Sequence, residues 1–147
     1  MYECILVATD GSTLSDKAVS HALELAQLAG ASVVAVKVIP PYPRSYLEGG
    51  AMIDMSEIKR IETQRAEQAQ AVLNAIKTTG KTMGVSVKTR IAKSDLIAES
   101  IIAVANKQQA DLIVMASHGR KGLQRLLLGS ETQHVLTHSQ IPVLVLR

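Results

Sequence analysis

The chain has 147 residues, the length of one domain, so a single unit spanning residues 1–147 around one hydrophobic core is expected. Its net charge of +3 and its 2% aromatic content argue against a nucleic-acid-binding protein, which needs a basic surface or rings on which bases stack. The sequence contains no apolar run of about 18 residues, so no membrane partner is expected. The single cysteine, Cys4, cannot form an intramolecular disulfide, which favours a cytoplasmic protein.

Five short runs rich in Val, Ile and Leu alternate with helical patterns along the chain. This alternation is typical of repeated βαβ units. It predicts a single-domain α/β fold of the doubly wound kind, with a parallel sheet covered by helices. The predicted strands are Glu3–Thr9, Ser32–Ile39, Val85–Ala92, Asp111–Ala116 and Pro142–Leu146.

The first two predicted helices have clear apolar faces. The first begins between Ser12 and Ser15, and Gly30 ends it. The second begins with Ser56 as its N-cap and ends before Gly80. The residues expected to face the core are Leu14, Ala18, Ala22, Leu25 and Ala29 in the first helix, and Ile58, Ile61, Ala69, Val72 and Ile76 in the second.

The last two helices are shorter. The third opens at Ser94-Asp95 and buries residues such as Ile97, Ile101 and Ala105. The fourth follows Gly129, and Ser130 and Gln133 have the spacing of a capping box. Val135-Leu136 is expected to face inward.

Two loops at the carboxyl ends of strands carry polar residues suited to a ligand. Right-handed βαβ crossovers bring all such loops to one edge of the sheet. After the first strand, Asp10 is followed by Gly11, which permits a tight turn. The Asp10 carboxylate has two open interpretations: it accepts hydrogen bonds from a nucleotide base or sugar, or it only caps the first helix.

The second loop, from Ser117 to Ser130, follows the fourth strand and combines glycines with basic residues. Gly119 and Gly122 allow close approach of backbone to ligand, and Gly129-Ser130 place free amide groups and a hydroxyl at a helix start. Phosphate is the anion that such a loop favours. A purely structural loop is the alternative.

Other signals are weak. The P-loop pattern G-x-x-x-x-G-K-[ST] and the dinucleotide pattern G-x-G-x-x-G after the first strand are both absent. His134 and His138 lack a third zinc ligand, and the pair Ser117-His118 lacks a third group to orient a nucleophile and base. No catalytic residue and no protein metal site are therefore assigned. The breaker-rich segment Pro40 to Gly50 is a lid, a partner surface or a spacer.

Three segments have a recognisable pattern: Ile5-Leu6-Val7-Ala8-Thr9-Asp10-Gly11-Ser12, Ala110 to Met115 and Ile141 to Leu146. Through them the whole chain resembles the universal stress protein family. Nucleotide-binding members carry Gly, two residues, Gly, nine residues, then Gly-Ser or Gly-Thr. Gly119 and Gly129-Ser130 fit this pattern, whereas Ala116 stands at the first glycine, where its methyl group requires a negative φ.

The resemblance implies a five-stranded parallel sheet in order 3-2-1-4-5 with helices on both faces, and ATP between strands 1 and 4. Mg²⁺ or Mn²⁺ would be carried on the phosphates. Asp10 and Val38 would lie near adenine or ribose. Gly119, Gly129 and Ser130 would surround the phosphates, assisted by Arg120 and Gly122 of the same motif. The other residues assigned to the nucleotide site are Ala116, Ser117, His118 and Glu131.

The resemblance also implies a homodimer, formed by antiparallel pairing of the last strands at Val143 to Leu146. The function expected is that of a small ATP-binding regulator in stress response, not an enzyme. Two alternatives stay open: a nucleotide-free dimeric adaptor of the same fold, and a weak ATP-hydrolysing or adenylate-handling enzyme.

Overall fold

A computed structural model of the chain describes residues 1–42, 54–119 and 127–147. Within these residues strands and helices alternate from one end of the chain to the other. The elements are β1 Cys4–Ala8, α1 Thr13–Ala29, β2 Ser32–Ile39, α2 Met55–Thr82, β3 Val87–Lys93, α3 Ile97–Lys107, β4 Leu112–Ala116, α4 Ser130–His138 and β5 Val143–Leu146.

The five strands form one parallel sheet in the order β3-β2-β1-β4-β5, which confirms the predicted fold class and topology. The central strand β1 is paired on both sides, since Ile5 is the partner of Val33 in β2 and of Leu112 in β4. The direction in which successive strands are added reverses between β1 and β4. Ligands of doubly wound folds bind at this point, outside the carboxyl ends of the strands.

The helices cover both faces of the sheet. Alternate residues of a strand point to opposite faces, so Ile5 and Val7 pack with α1 and α2, while Leu6 packs with α3 and α4. Both cores are built from aliphatic residues, as the composition requires. Leu14, Leu25 and Ala29 are only half-buried, because the buried face of α1 is centred on Ala18, Val19, Ala22, Leu23 and Ala26.

Helix α2 differs from its prediction at both ends. Its N-cap is Asp54 and not Ser56, since the Asp54 side chain accepts a hydrogen bond from the Ser56 amide at 3.0 Å. The Ser56 hydroxyl, together with that amide bond, holds the pKa of the Asp54 carboxyl below its usual value. Gly80 does not end the helix, which continues to Thr82. A Cβ atom there would collide with the Val87 side chain, so Gly80 permits close packing of α2 on β3.

The start of α3 is also corrected. The helix begins at Ile97 instead of at Ser94-Asp95, and the Ser94 hydroxyl accepts a hydrogen bond from the Leu96 amide at 3.0 Å. The N-cap residue is Leu96, which has no polar side chain to offer. The first turn of α3 therefore needs a cap from elsewhere in the fold.

The helices of the described residues include none that is long and apolar enough to cross a bilayer. Cys4 is half-buried in β1, and burial raises the pKa of its thiol above the ordinary value. The segment from Pro40 to Gly50 lies outside the described residues from residue 43 onward.

Candidate functional site

The loop after β1 is a tight turn that fixes the Asp10 side chain. Gly11 has a φ of 80°, which glycine adopts without strain, and its amide donates to Thr9 Oγ1 at 3.1 Å. Asp10 Oδ1 accepts a hydrogen bond from the Ser12 amide at 2.9 Å. Ser12 is the N-cap of α1, so Asp10 orients the turn without being the cap itself.

Lys37, which the sequence analysis did not single out, supports this turn from β2. Its Nζ donates to the backbone carbonyl oxygen of Asp10 at 3.0 Å. The sequence could have indicated a role for Lys37, because it is the charged residue of β2 and has apolar neighbours on both sides. Val38 follows it and is half-buried, two residues beyond Val36, the register partner of Ala8. Val38 thus lies beside the Asp10 turn.

The loop after β4 reaches the same place. A Cβ atom added to Gly119 would be 2.8 Å from Asp10 Oδ2. Gly119 does not have a positive φ, so the glycine does not serve an unusual backbone conformation here. Its lack of a side chain leaves room for the Asp10 carboxylate. The structure therefore brings Asp10 and Gly119, predicted from two distant parts of the sequence, into contact at the β1–β4 junction.

Gly129 joins this loop to α4 through close backbone packing. Its amide donates to the Ser117 carbonyl oxygen at 2.7 Å, so the expectation of a free amide at this residue is wrong. A Cβ atom here would be 3.2 Å from His118 Cα and 3.4 Å from the Ser117 oxygen. Gly129 thus brings the start of α4 against the end of β4.

Helix α4 begins without a side-chain cap. The predicted capping box is wrong, because the N-cap is Gly129 and Ser130 is the first helical residue. The Gln133 side chain donates to the Leu128 carbonyl oxygen at 2.9 Å instead of to a cap residue. The first amides of a helix have no acceptor within the helix. The amides of Ser130 and Glu131 and the exposed Ser130 hydroxyl are therefore available to an anion.

The Glu131 carboxylate is held by another helix. Its Oε2 accepts a hydrogen bond from the Ala98 amide in the first turn of α3, at 2.9 Å. It supplies the cap that Leu96 lacks, and a negative charge at a helix N-terminus is stabilising. This role was missed because Ala98 and Glu131 are 33 residues apart in sequence.

Ala116 is compatible with the site despite replacing a glycine. It lies in β4, is 9% exposed and is not among the residues of positive φ, so its methyl group causes no backbone strain. Its carbonyl oxygen accepts a hydrogen bond from the buried Thr132 hydroxyl at 2.9 Å. This bond anchors the first turn of α4 to the end of β4. Leu136, predicted to face inward on α4, is instead 41% exposed.

The pair Ser117-His118 is hydrogen-bonded, with 3.1 Å between Ser117 Oγ and His118 Nδ1. Ser117 is only 5% exposed, and no carboxylate of the described residues orients the histidine ring. This geometry fits loop structure and not a nucleophile presented to a substrate.

His134 and His138 stack on each other, with 4.1 Å between ring centroids. His134 Nε2 is 3.2 Å from Glu99 Oε1. In the portion of the chain that the structure describes, no group of three potential metal-ligating side chains converges. His134 therefore contributes to the contact between α3 and α4, and His138 packs on it within α4.

The predicted site residues divide into three groups. Asp10, Val38, Ser117, His118 and Gly119 surround the β1–β4 junction, and Gly129 with Ser130 forms the adjoining start of α4. Ala116 is buried at the end of β4, and the Glu131 carboxylate caps the first turn of α3. Arg120 and Gly122 lie outside the described residues.

The profile of the universal stress protein family matches residues 1–147. Universal stress protein MJ0531 from Methanocaldococcus jannaschii is 34% identical over 148 residues, covering 100% of this chain and 83% of that protein. The solved structure of hypothetical protein MJ0577 superposes with a TM-score of 0.83 at 29% identity, covering 99% of this chain and 96% of that one. MJ0577 is a universal stress protein of the same organism.

Two more distant solved structures contain adenine nucleotides. One is a universal stress protein in complex with cAMP, with a TM-score of 0.72 and 23% identity, covering 99% of this chain and 97% of that one. The other is the universal stress protein from Archaeoglobus fulgidus in complex with dAMP, with a TM-score of 0.65 and 22% identity, covering 99% and 98%. At this level of identity, the two structures show that they share the fold of this chain and nothing further. With the family profile matched from end to end and the five-stranded topology shared, the chain belongs to the universal stress protein family.

Proposed function

We propose that the chain binds ATP at the β1–β4 junction and acts as a nucleotide-dependent regulator in stress response, not as an enzyme. The observation that carries this proposal is the open start of α4, which has no side-chain cap and lies beside the Asp10–Gly119 contact. An uncapped helix start favours an anion, and the adjoining carboxylate and apolar surface favour a nucleoside.

The phosphates are assigned to the start of α4. The amides of Ser130 and Glu131, with the Ser130 hydroxyl, offer donors to phosphate oxygens, and Gly119 and Gly129 keep side chains out of the way. Charge-assisted hydrogen bonds contribute about 1.5 to 3 kcal/mol each, so three or four support micromolar affinity after the costs of association. Mg²⁺ or Mn²⁺ would be carried on the phosphates.

The adenosine is assigned to the other side of the junction. The Ser12 amide fixes the orientation of the Asp10 carboxylate, which can accept a hydrogen bond from the base or from a ribose hydroxyl. Val38 offers apolar surface beside it. The complexes of family members with cAMP and dAMP support an adenine nucleotide as the ligand class.

The proposal includes a cytoplasmic homodimer. Strand β5 is at the edge of the sheet, paired with β4 on one side, and Leu144 is 39% exposed. An unpaired strand edge of this kind favours pairing with a second chain. Cys4 is a free thiol, which suits a reducing compartment.

Thermal unfolding with and without Mg-ATP tests the proposal. Ligand at 100 times its dissociation constant adds about 2.7 kcal/mol, which raises the Tm by roughly 5 to 10 °C in a domain of this size. Nucleotide released from the heated protein should be identified in parallel. No shift and no released nucleotide would favour the nucleotide-free adaptor, and phosphate release well above about one per minute would favour the enzyme.

A further inference from the structure

A cleft separate from the proposed nucleotide site opens at the edge formed by the carboxyl ends of the strands, on the face of the sheet covered by α1. Its volume is about 420 Å³, within the range of small-molecule sites. None of the residues from Gly129 to Glu131 lines it, so it is separate from the start of α4. Its lining residues come from α1 and from the segments that follow β4 and β5: Thr13, Leu14, Lys17, Ser117, His118 and Arg147.

The lining combines hydrocarbon with positive charge. Leu14 is half-buried and apolar, while Lys17 and Arg147 have long aliphatic stems that end in cations. Among the described residues that line the cleft, none is acidic. The cleft therefore presents an apolar wall beside two positive charges.

These two charges are not neutralised by neighbouring side chains. Lys17 and Arg147 form no ion pair with a residue in the ranges 1–42, 54–119 and 127–147. A cleft of similar volume between α2 and β3 provides a contrast, because Lys59 and Lys93 line it together with Glu62 and Glu67. Lys93 is 3.8 Å from Glu62 there, whereas none of the described residues that line the α1-side cleft has a carboxylate side chain.

We infer that the α1-side cleft binds a small organic anion with an aryl or acyl body and a carboxylate, sulfonate or phosphate head. The body lies against Leu14, and the head lies between Lys17 and Arg147. Neither the apolar body nor the charged head of the ligand should bind well by itself. A neutral molecule would leave Lys17 and Arg147 unpaired, and an inorganic anion would leave Leu14 exposed to water.

The cleft adjoins the proposed nucleotide site through one dipeptide. Ser117 and His118 line the cleft, while their backbone packs against Gly129 on the other side. An occupant that shifts His118 therefore acts on the backbone that positions the start of α4. This coupling to the nucleotide site rests on the proposed function, whereas binding of an anion in the cleft does not. Each of the two hypotheses can therefore fail without the other.

Titration of the nucleotide-free protein with naphthalene sulfonate, followed by amide chemical shifts and calorimetry, tests the inference. We expect saturable binding that shifts the amides of Leu14, Lys17 and His118. The double variant Lys17→Gln/Arg147→Gln should weaken binding about tenfold, as loss of two partly exposed ion pairs implies. Both side chains are exposed, so the variant should keep the wild-type Tm.

The matched control removes two lysines from a distant surface. Lys59→Gln/Lys77→Gln has the same loss of charge on α2 and should bind like the wild type. Naphthyl methanol, the neutral analogue, and inorganic phosphate should each bind much more weakly than naphthalene sulfonate. The inference is overturned by absence of saturable binding, by equal binding of the neutral analogue, or by equal weakening in the two double variants.

Discussion

The Asp10 carboxylate lies directly beside Gly119, so that a Cβ atom at position 119 would be 2.8 Å from Asp10 Oδ2. Asp10 lies in the turn after β1, and Gly119 belongs to the loop after β4. The φ of Gly119 is not in the left-handed region, so a side chain here would act by displacing the Asp10 carboxylate and not by straining the backbone. The contact joins the part of the junction assigned to adenosine with the part assigned to phosphate.

Replacing Gly119 by valine should abolish the Tm increase caused by Mg-ATP. The new side chain would displace the Asp10 carboxylate and occupy the space assigned to the ligand. The displaced atom is the end of a flexible side chain, so the fold should persist and the Tm without nucleotide should stay near that of the wild type. Differential scanning fluorimetry measures both values.

Gln140→Val is the control for this substitution, because it adds the same β-branched side chain at an exposed position just before β5, at the opposite edge of the sheet. It should retain the full response to Mg-ATP. A normal response in the Gly119→Val protein would show that the nucleotide binds elsewhere.

Ser130→Ala and Asp10→Asn should separate recognition of the phosphates from recognition of the nucleoside. Loss of the Ser130 hydroxyl should weaken competition by inorganic triphosphate roughly 10-fold or more, the value of one charge-assisted hydrogen bond, and leave competition by adenosine unchanged. Asp10→Asn should weaken competition by adenosine and leave competition by triphosphate unchanged. Displacement of a fluorescent ATP analogue measures both ligands.

Thr137→Ala controls for the loss of a hydroxyl on α4. Thr137 lies in the last turn of the helix, where its hydroxyl donates to the Gln133 carbonyl oxygen at 2.7 Å. It should leave both affinities unchanged. Equal weakening of both competitors by the Ser130 and Asp10 variants would contradict the division of the site.

Glu131→Ala should lower the free energy of unfolding by about 1 kcal/mol, because the Ala98 amide would lose its cap. Glu131→Gln retains an oxygen acceptor and should lose less. Glu57→Ala is a suitable control, since Glu57 is also in the first turn of a helix but forms only an exposed ion pair with Arg60 at 3.8 Å. Urea unfolding measures the stability of all three variants. If the Glu131→Ala protein is as stable as the Glu57→Ala protein, Glu131 does not cap α3.

Val145→Pro should convert the proposed dimer into a monomer. The carbonyl oxygens of Pro142 and Leu146 accept hydrogen bonds from the amides of Ile113 in β4 and Ser117 just after it, and alternate residues of a strand present their backbone groups to opposite sides. The Val145 amide therefore faces away from β4, where proline removes a donor without breaking the β4–β5 ladder.

Val145→Ala retains the amide and should remain dimeric. Light scattering after size-exclusion chromatography determines the mass of each variant. A dimer in the Val145→Pro protein would place the interface elsewhere, and a monomeric wild type would refute the proposed assembly.

The strands could be predicted from the sequence because they are short, apolar and separated by clear turn signals. Ser32–Ile39 agrees at both ends, and the other four strands differ by one or two residues at one or both ends. The order of the strands came from the resemblance to the family. The meeting of Asp10 and Gly119 followed from that topology, since carboxyl ends of parallel strands share one edge.

The helix ends were less predictable because tertiary contacts decide them. Gly80 reads locally as a stop, but close packing against Val87 explains it. Ser130 reads as a cap, yet the bond from the Gly129 amide to Ser117 places the cap one residue earlier. Glu131 caps a helix that has no local signal pointing to it.

The central claim is that ATP binds across the β1–β4 junction, and a crystal structure of the chain with Mg-ATP tests it most directly. We expect phosphate oxygens within hydrogen-bond distance of the Ser130 and Glu131 amides, and adenosine between Asp10 and Val38. Nucleotide bound away from this junction, for example in the α1-side cleft, or an empty junction in crystals grown with millimolar Mg-ATP would contradict the claim.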